Sequence, residues 1–154
     1  MMNKSSLSRH IFAAALVAGL ATPMLSHADA FDGARNLSVP FEQLAFRPQA
    51  PGLPQRLTDL WGDRNRDGGF GQLIELPPGF RSPVHAHSGD YHGVLIKGIW
   101  RHEDGNGTGI SLPPGSYVRQ AGGDLHVDGC VSETPCLLFL FQFSRADVIL
   151  PQAQ

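Results

Sequence analysis

Two histidines one residue apart, His85 and His87, lie in the stretch Gly79-Phe80-Arg81-Ser82-Pro83-Val84-His85-Ala86-His87. In an extended segment side chains return to the same face every second residue, so the two imidazoles point the same way. Neutral imidazole is the commonest nitrogen donor to a metal, and two aimed at one point form a natural ligand pair. A third candidate, His126, ends the stretch Gly115-Ser116-Tyr117-Val118-Arg119-Gln120-Ala121-Gly122-Gly123-Asp124-Leu125-His126, which one hairpin-like segment separates from the first. A chain that uses all three must close on itself and bring His126 beside His85 and His87. That closure is the strongest constraint the sequence places on the fold.

Strands satisfy it better than helices. The chain has 18 glycines and 12 prolines in 154 residues, spaced so that they break up helices and punctuate short strands. Strands are expected at Val39–Phe46, Leu57–Trp61, Phe70–Leu76, Val84–His87, Tyr91–Ile96, Ile99–Glu103, Tyr117–Gln120, Leu125–Asp128 and Leu137–Phe143. No stretch after residue 30 keeps a helical period, apart from a turn near Phe41 to Leu44. Leu137–Phe143 is the most apolar of these segments, and its face of Leu137, Phe139, Phe141 and Phe143 is expected to form the floor of the interior. The fold class is all-β, a sandwich or barrel.

Gly79, His85, His87 and Gly98 fall at the spacings of the pattern G-x5-H-x-H-x3,4-E-x6-G, and Gly115, Gly123 and His126 at those of G-x5-P-x-G-x2-H-x3-N. On these residues the chain resembles the cupin superfamily. The resemblance implies a jelly-roll barrel of the RmlC-like kind, built from two antiparallel sheets, with His85, His87 and His126 around one metal inside it. Three positions depart from the pattern: Tyr91 stands at the glutamate, Ala121 at the proline and Cys130 at the asparagine. The fourth metal position is therefore open to Tyr91, to Asp90 or His92 from the same turn, or to no protein ligand. Tyr91 is also the candidate catalytic residue, as an acid–base or orienting group, because a phenolate costs more to form at neutral pH than a carboxylate. Of the other histidines, simple alternation turns His92 away from the Tyr91 side, and His102 reads as a surface residue.

One divalent metal ion per chain is the expected cofactor. Imidazole suits zinc, copper, iron and nickel alike. An exported protein meets zinc, manganese or copper more readily than ferrous iron, which tilts the choice to zinc, with iron the choice for an oxygenase. Two function classes follow. One is a metal-dependent enzyme of hydrolase-like or oxygenase-like chemistry acting on a small molecule in the barrel. The other is a non-catalytic metal- or ligand-binding or sensing module, like the zinc-binding cupin domain of some anti-sigma factors.

Residues 1–30 read as a cleavable export signal: Lys4, Arg9 and His10 lead, an apolar run spans Ile11 to Ala21, and Ala28-Asp29-Ala30 precedes Phe31. The run is shorter than the roughly 20 residues a membrane helix needs, so no anchor is expected after cleavage. Residues 31–154 then form one domain, periplasmic or secreted. The mature part is mildly acidic and keeps Lys97 as its one lysine, which excludes the basic footprint of a nucleic-acid binder. The expected partner is a small-molecule ligand or substrate, with room for a homodimer.

Cys130 and Cys136 flank the loop Val131-Ser132-Glu133-Thr134-Pro135, which would set them opposite each other as a disulfide or as two thiols. Asp63-Arg64-Asn65-Arg66-Asp67-Gly68 opens like a calcium loop, but the closing acid misses by one residue at Glu75 and the flanks read as strands, so a polar turn is the better reading. Secreted or periplasmic material is expected to start at Phe31. N-terminal sequencing checks this, and an intact chain in the membrane fraction would refute it.

Overall fold

The computed structural model describes residues 36–152; the expected export signal and cleavage site lie outside the described residues. A 3-10 turn at Phe41–Gln43 is followed by nine strands: β1 Arg47–Pro48, β2 Arg56–Trp61, β3 Phe70–Leu76, β4 Tyr91–Lys97, β5 Trp100–Asp104, β6 Gly109–Leu112, β7 Tyr117–Gln120, β8 His126–Cys130 and β9 Cys136–Gln142. They form a six-stranded sheet in the order β1-β2-β3-β9-β4-β7 and a three-stranded sheet in the order β6-β5-β8. Every pairing is antiparallel. This is the expected all-β jelly roll of two sheets. No helix among the described residues is long and apolar enough to cross a membrane.

Three segments differ from the sequence expectation. Val39–Phe46 is a turn and irregular chain, and pairing starts only at β1. Val84–His87 makes isolated bridges, not a continuous strand, although its residues still alternate. β6 is an additional short edge strand, four residues long and half exposed.

The parity of β9 is also the reverse of the expected one. Leu138, Leu140 and Gln142 line the interior cavity, and Phe143 is 67% exposed. Phe141 stacks outside on Trp61 and His92, with ring centroids 5.3 and 5.9 Å away. β9 is central, between β3 and β4, and apolar on both faces, so alternation in its own sequence carries no parity signal. Its partners decide: Leu138 lies opposite Ile74 and Leu95, and those positions face the core.

The core joins Leu76, Tyr91, Leu95, Trp100, Val118 and Leu138 with a Cys130–Cys136 disulfide whose Cα atoms are 5.7 Å apart. Both cysteines are fully buried. Gly98, the last glycine of the first motif, has φ +92°, and an added Cβ would lie 2.9 Å from Cys136 Cα. The turn between β4 and β5 thus needs both a left-handed residue and one without a side chain. Because the disulfide closes a ring of only six residues' separation, its loss is expected to cost about 2 kcal/mol. Urea unfolding of the Cys130→Ser, Cys136→Ser double variant measures this, and an unchanged midpoint would contradict it.

Candidate metal centre

The two motif segments meet through their backbones. His85 N–H donates to His126 O at 3.0 Å, and His126 N–H donates back to His85 O at 2.8 Å. Such a reciprocal pair sets two residues directly opposite with side chains on one face. His87 shares that face by alternation, while Ala86 between them turns the other way and exchanges bonds with Ile149 at 2.9 and 2.8 Å. The ring centroids of His85 and His126 are 4.3 Å apart, those of His85 and His87 5.0 Å, and those of His87 and His126 5.2 Å.

One ring nitrogen from each of the three lies within 4.8 Å of the others. This is wider than the about 4 Å expected for ligands sharing one ion at ~2.0–2.1 Å. The terminal torsion of histidine is soft, so closing the difference asks for small ring rotations.

The Nδ1 atoms are all committed to backbone carbonyls. His85 Nδ1 faces Pro83 O at 2.9 Å, His87 Nδ1 faces Asp147 O at 2.5 Å, and His126 Nδ1 faces Asp124 O at 3.2 Å. A carbonyl only accepts, so each Nδ1 carries a proton, and in the neutral ring Nε2 is then the donor to a metal. His126 Nε2 is buried 3.5 Å from Asp128 Oδ2, without a well-formed hydrogen bond. Burial pushes the His85 and His87 imidazoles below their ordinary pKa, which keeps both lone pairs free at neutral pH. Three imidazoles converging, with every Nδ1 turned to a carbonyl, is a donor set that fits a divalent metal.

Tyr91 is 3% exposed, with its ring 5.4 Å from His87 and 5.6 Å from His126. Its hydroxyl donates to Asp128 Oδ2 at 3.3 Å. Burial and the neighbouring Asp128 charge push the phenol well above its usual pKa, so Tyr91 is a neutral donor, not a phenolate.

The other two candidates for the fourth position point elsewhere. His92 is on the outer face of the large sheet, with Nδ1 2.8 Å from Tyr117 Oη, because the residue after an inward Tyr91 must face out. Asp90 accepts from Arg119 at 2.5 Å and from Gly122 N at 2.9 Å, and so pins the turn instead of facing the triad.

Asp128 and His102 form a polar centre that the sequence reading did not identify. Asp128 accepts from Trp100 Nε1 and His102 Nδ1, both at 2.9 Å, as well as from Tyr91. His102 is not a surface residue: its side chain is 18% exposed, and Nε2 lies 3.1 Å from Gln120 Oε1. Burial pushes the Asp128 carboxyl up, but the His102 and His126 imidazoles outweigh it and hold the group well below the usual carboxylate range. The signal was available, since Asp128 follows His126 by two residues in a strand and must share its face. Nothing in the sequence marked Asp147, which reaches His87 from a distant C-terminal segment.

The cavity beside these groups is about 530 Å³ and is walled by Ile74, Leu76, Phe80, Trp100, Leu138 and Leu140. Asp63, the first residue of the calcium-like loop, accepts from Asn65 N at 2.9 Å, as in an ordinary polar turn. A neutral Tyr91 is expected to be dispensable for metal binding. Tyr91→Phe should purify with the same metal content as the parent protein, measured by atomic emission, and a metal-free variant would instead make it a ligand.

No curated protein matches the chain in sequence. Among solved structures it is similar to the polyketide cyclase RemF from Streptomyces resistomycificus, at 16% identity and TM-score 0.62, over 78% of this chain and 88% of that one. An RmlC-like cupin from Shewanella frigidimarina matches at 19% identity and TM-score 0.57, over 74% and 96% of the two chains. The complex of Rhodobacter sphaeroides SigE with the anti-sigma ChrR matches at 18% identity and TM-score 0.54, over 67% of this chain and 50% of that one. At these identities the likeness establishes the cupin fold and nothing finer. A family profile described as "Domain of unknown function (DUF4437)" covers residues 50–140, and the chain, a cupin by its architecture, belongs to that family.

Proposed function

We propose that this cupin is an exported metal-dependent enzyme that acts on a small molecule in the barrel cavity. The single observation that carries the reading is the convergence of three histidine nitrogens whose partner Nδ1 atoms are all held by backbone carbonyls. His85, His87 and His126 would hold the ion through Nε2, leaving positions open beside Tyr91 and the cavity. Zinc is preferred for an exported chain, and the Cys130–Cys136 disulfide suits such an oxidising compartment.

A bound divalent ion would supply Lewis-acid polarisation of a substrate carbonyl or hydroxyl. The chain's own residues supply the rest. Asp128 orients the Tyr91 hydroxyl and keeps its proton in place. Tyr91 stands beside His87 and His126 as the group that holds or delivers that proton to a bound substrate. The apolar walls exclude water and strengthen each polar contact inside. A metal-holding or sensing module is the alternative; the cavity of about 530 Å³ beside the triad favours a small-molecule site.

Metal analysis of purified, tag-free protein should find one divalent ion per chain, lost in His85→Ala and in His126→Ala. A metal-free parent protein under zinc-replete conditions would sink the proposal. Once a substrate is found, Tyr91→Phe should lower turnover by ~10²–10⁴-fold with metal retained. Unchanged turnover would reduce Tyr91 to a packing residue.

A further inference from the structure

The cavity wall away from the triad carries a second group of polar side chains for which the protein itself provides no partners. Arg64, from the loop after β2, lines the cavity with Gln55 and Gln72. Arg64 is half-buried, and its Nη1 is buried without a hydrogen-bond partner. No carboxylate among the described residues lies within ion-pair distance of it. The nearby acid, Asp59, has its Oδ2 taken by Arg47. Asp59 Oδ1 is buried without a partner, so Arg47, Asp59 and Arg64 together carry one net positive charge, and of the three Arg64 lines the cavity. Burial pushes the Arg64 guanidinium's pKa down and Asp59 opposes the shift, but a guanidinium stays charged at any relevant pH.

Gln72 is only 6% exposed, and its Oε1 is buried without a partner, as is Gln55 Oε1. Neither amide nitrogen is bonded within the described residues, so either amide can turn over at little cost and present N–H donors. A half-buried guanidinium with a buried, unpartnered Nη1 and two unsatisfied amides are expensive to keep in a fold that gains nothing from them. With both amides turned over, their N–H groups and the guanidinium could all donate to one planar, acceptor-only group. A carboxylate fits, since its two oxygens match the guanidinium fork. A phosphate dianion would ask for a second free cation, and Arg47 is committed.

The C-terminal segment ties this group to the triad. Ala146 N–H donates to Arg64 O at 2.7 Å, and the next residue, Asp147, accepts from His87 Nδ1. Ser88 N–H donates to Asp147 Oδ1 at 2.9 Å, and Arg145 N–H to Asp67 Oδ1 at 3.3 Å. One strap thus spans from the Arg64 loop to the His87 segment and fixes the spacing of the two along the cavity rim. Between them the walls are apolar.

We infer that Arg64, with Gln72 and Gln55, is a carboxylate-recognition subsite, and that the ligand is a small organic acid with an apolar body. This deepens the proposed function, because the acid's far end would then lie at the histidine triad.

The test uses phenylacetate and hexanoate with their neutral counterparts phenylacetamide and hexanamide, titrated calorimetrically into the full mature protein with and without zinc. Both acids are expected to bind, and both amides to bind at least tenfold more weakly. Arg64→Gln should weaken the acids by about 10- to 100-fold and leave the amides and the zinc content unchanged. The main-chain carbonyl of Arg64, not its side chain, holds the strap, so the variant is expected to fold. Gln72→Glu is a second variant: an acid placed there competes for Arg64 and should abolish binding of both carboxylates.

Acids that bind no better than amides, acids that fail to bind the parent protein, or variants that bind them undiminished would each overturn the inference. Absence of zinc from a protein that binds acids through Arg64 would remove the metal reading and leave this subsite standing.

Discussion

The exchange of two backbone hydrogen bonds between His85 and His126 is the constraint on which the interior depends. It is the point where the irregular connection between β3 and β4 is laid against the start of β8. Because an antiparallel bonded pair places its side chains on one face, the same two bonds that close the barrel also aim two imidazoles at one point. His87 joins them through the alternation of an extended chain, and Ala86 turns outward onto Ile149. Ring orientation then follows from three carbonyls. Two of them, Pro83 O and Asp124 O, belong to residues two positions before their histidine, so the local backbone that delivers the ring also fixes its tautomer. The third, Asp147 O, comes from the far end of the chain.

Asp128 stands at the centre of the second layer of order. Its carboxylate gathers an indole, an imidazole and a phenol, three donors from β4 and β5 that would otherwise be unsatisfied in an apolar wall. The arrangement also settles the charge states. Burial disfavours every ion, yet the donors outweigh it for Asp128 and keep it an anion, while burial and that anion keep Tyr91 neutral. A neutral phenol whose proton is directed at Asp128 is poorly suited to holding a cation by itself.

The cavity joins two unlike chemistries. One side carries nitrogen lone pairs and the Tyr91 hydroxyl, the other a free guanidinium with unsatisfied amides, and aliphatic and aromatic walls lie between. The C-terminal strap makes these parts of one rim, since its consecutive residues Ala146 and Asp147 bond to the Arg64 loop and to His87. The loop that resembles a calcium site in sequence is thus an anchorage for the strap, with Asp63 capping the turn and Asp67 receiving Arg145 N–H.

The all-β class, most strand positions and the meeting of His85, His87 and His126 were legible in the sequence. They depend on local rules: side-chain alternation, turn residues, and two motifs whose spacing is fixed by the strands that carry them. Gly98 belongs here as well, because only glycine tolerates its left-handed turn against the disulfide. Asp128 was legible in principle, two residues beyond His126 on the same strand. The facing of β9 was not, because a central strand apolar on both sides has its parity set by the register of its neighbours, Leu138 against Ile74 and Leu95. Nor was the inward turn of His102, whose place depends on pairing opposite Asp128 across β5 and β8. The Asp147 contact and the free charge of Arg64 depend on where a distant segment crosses the cavity rim. That crossing is a property of the packed sheets and of no single stretch of chain, so only the tertiary structure could decide it.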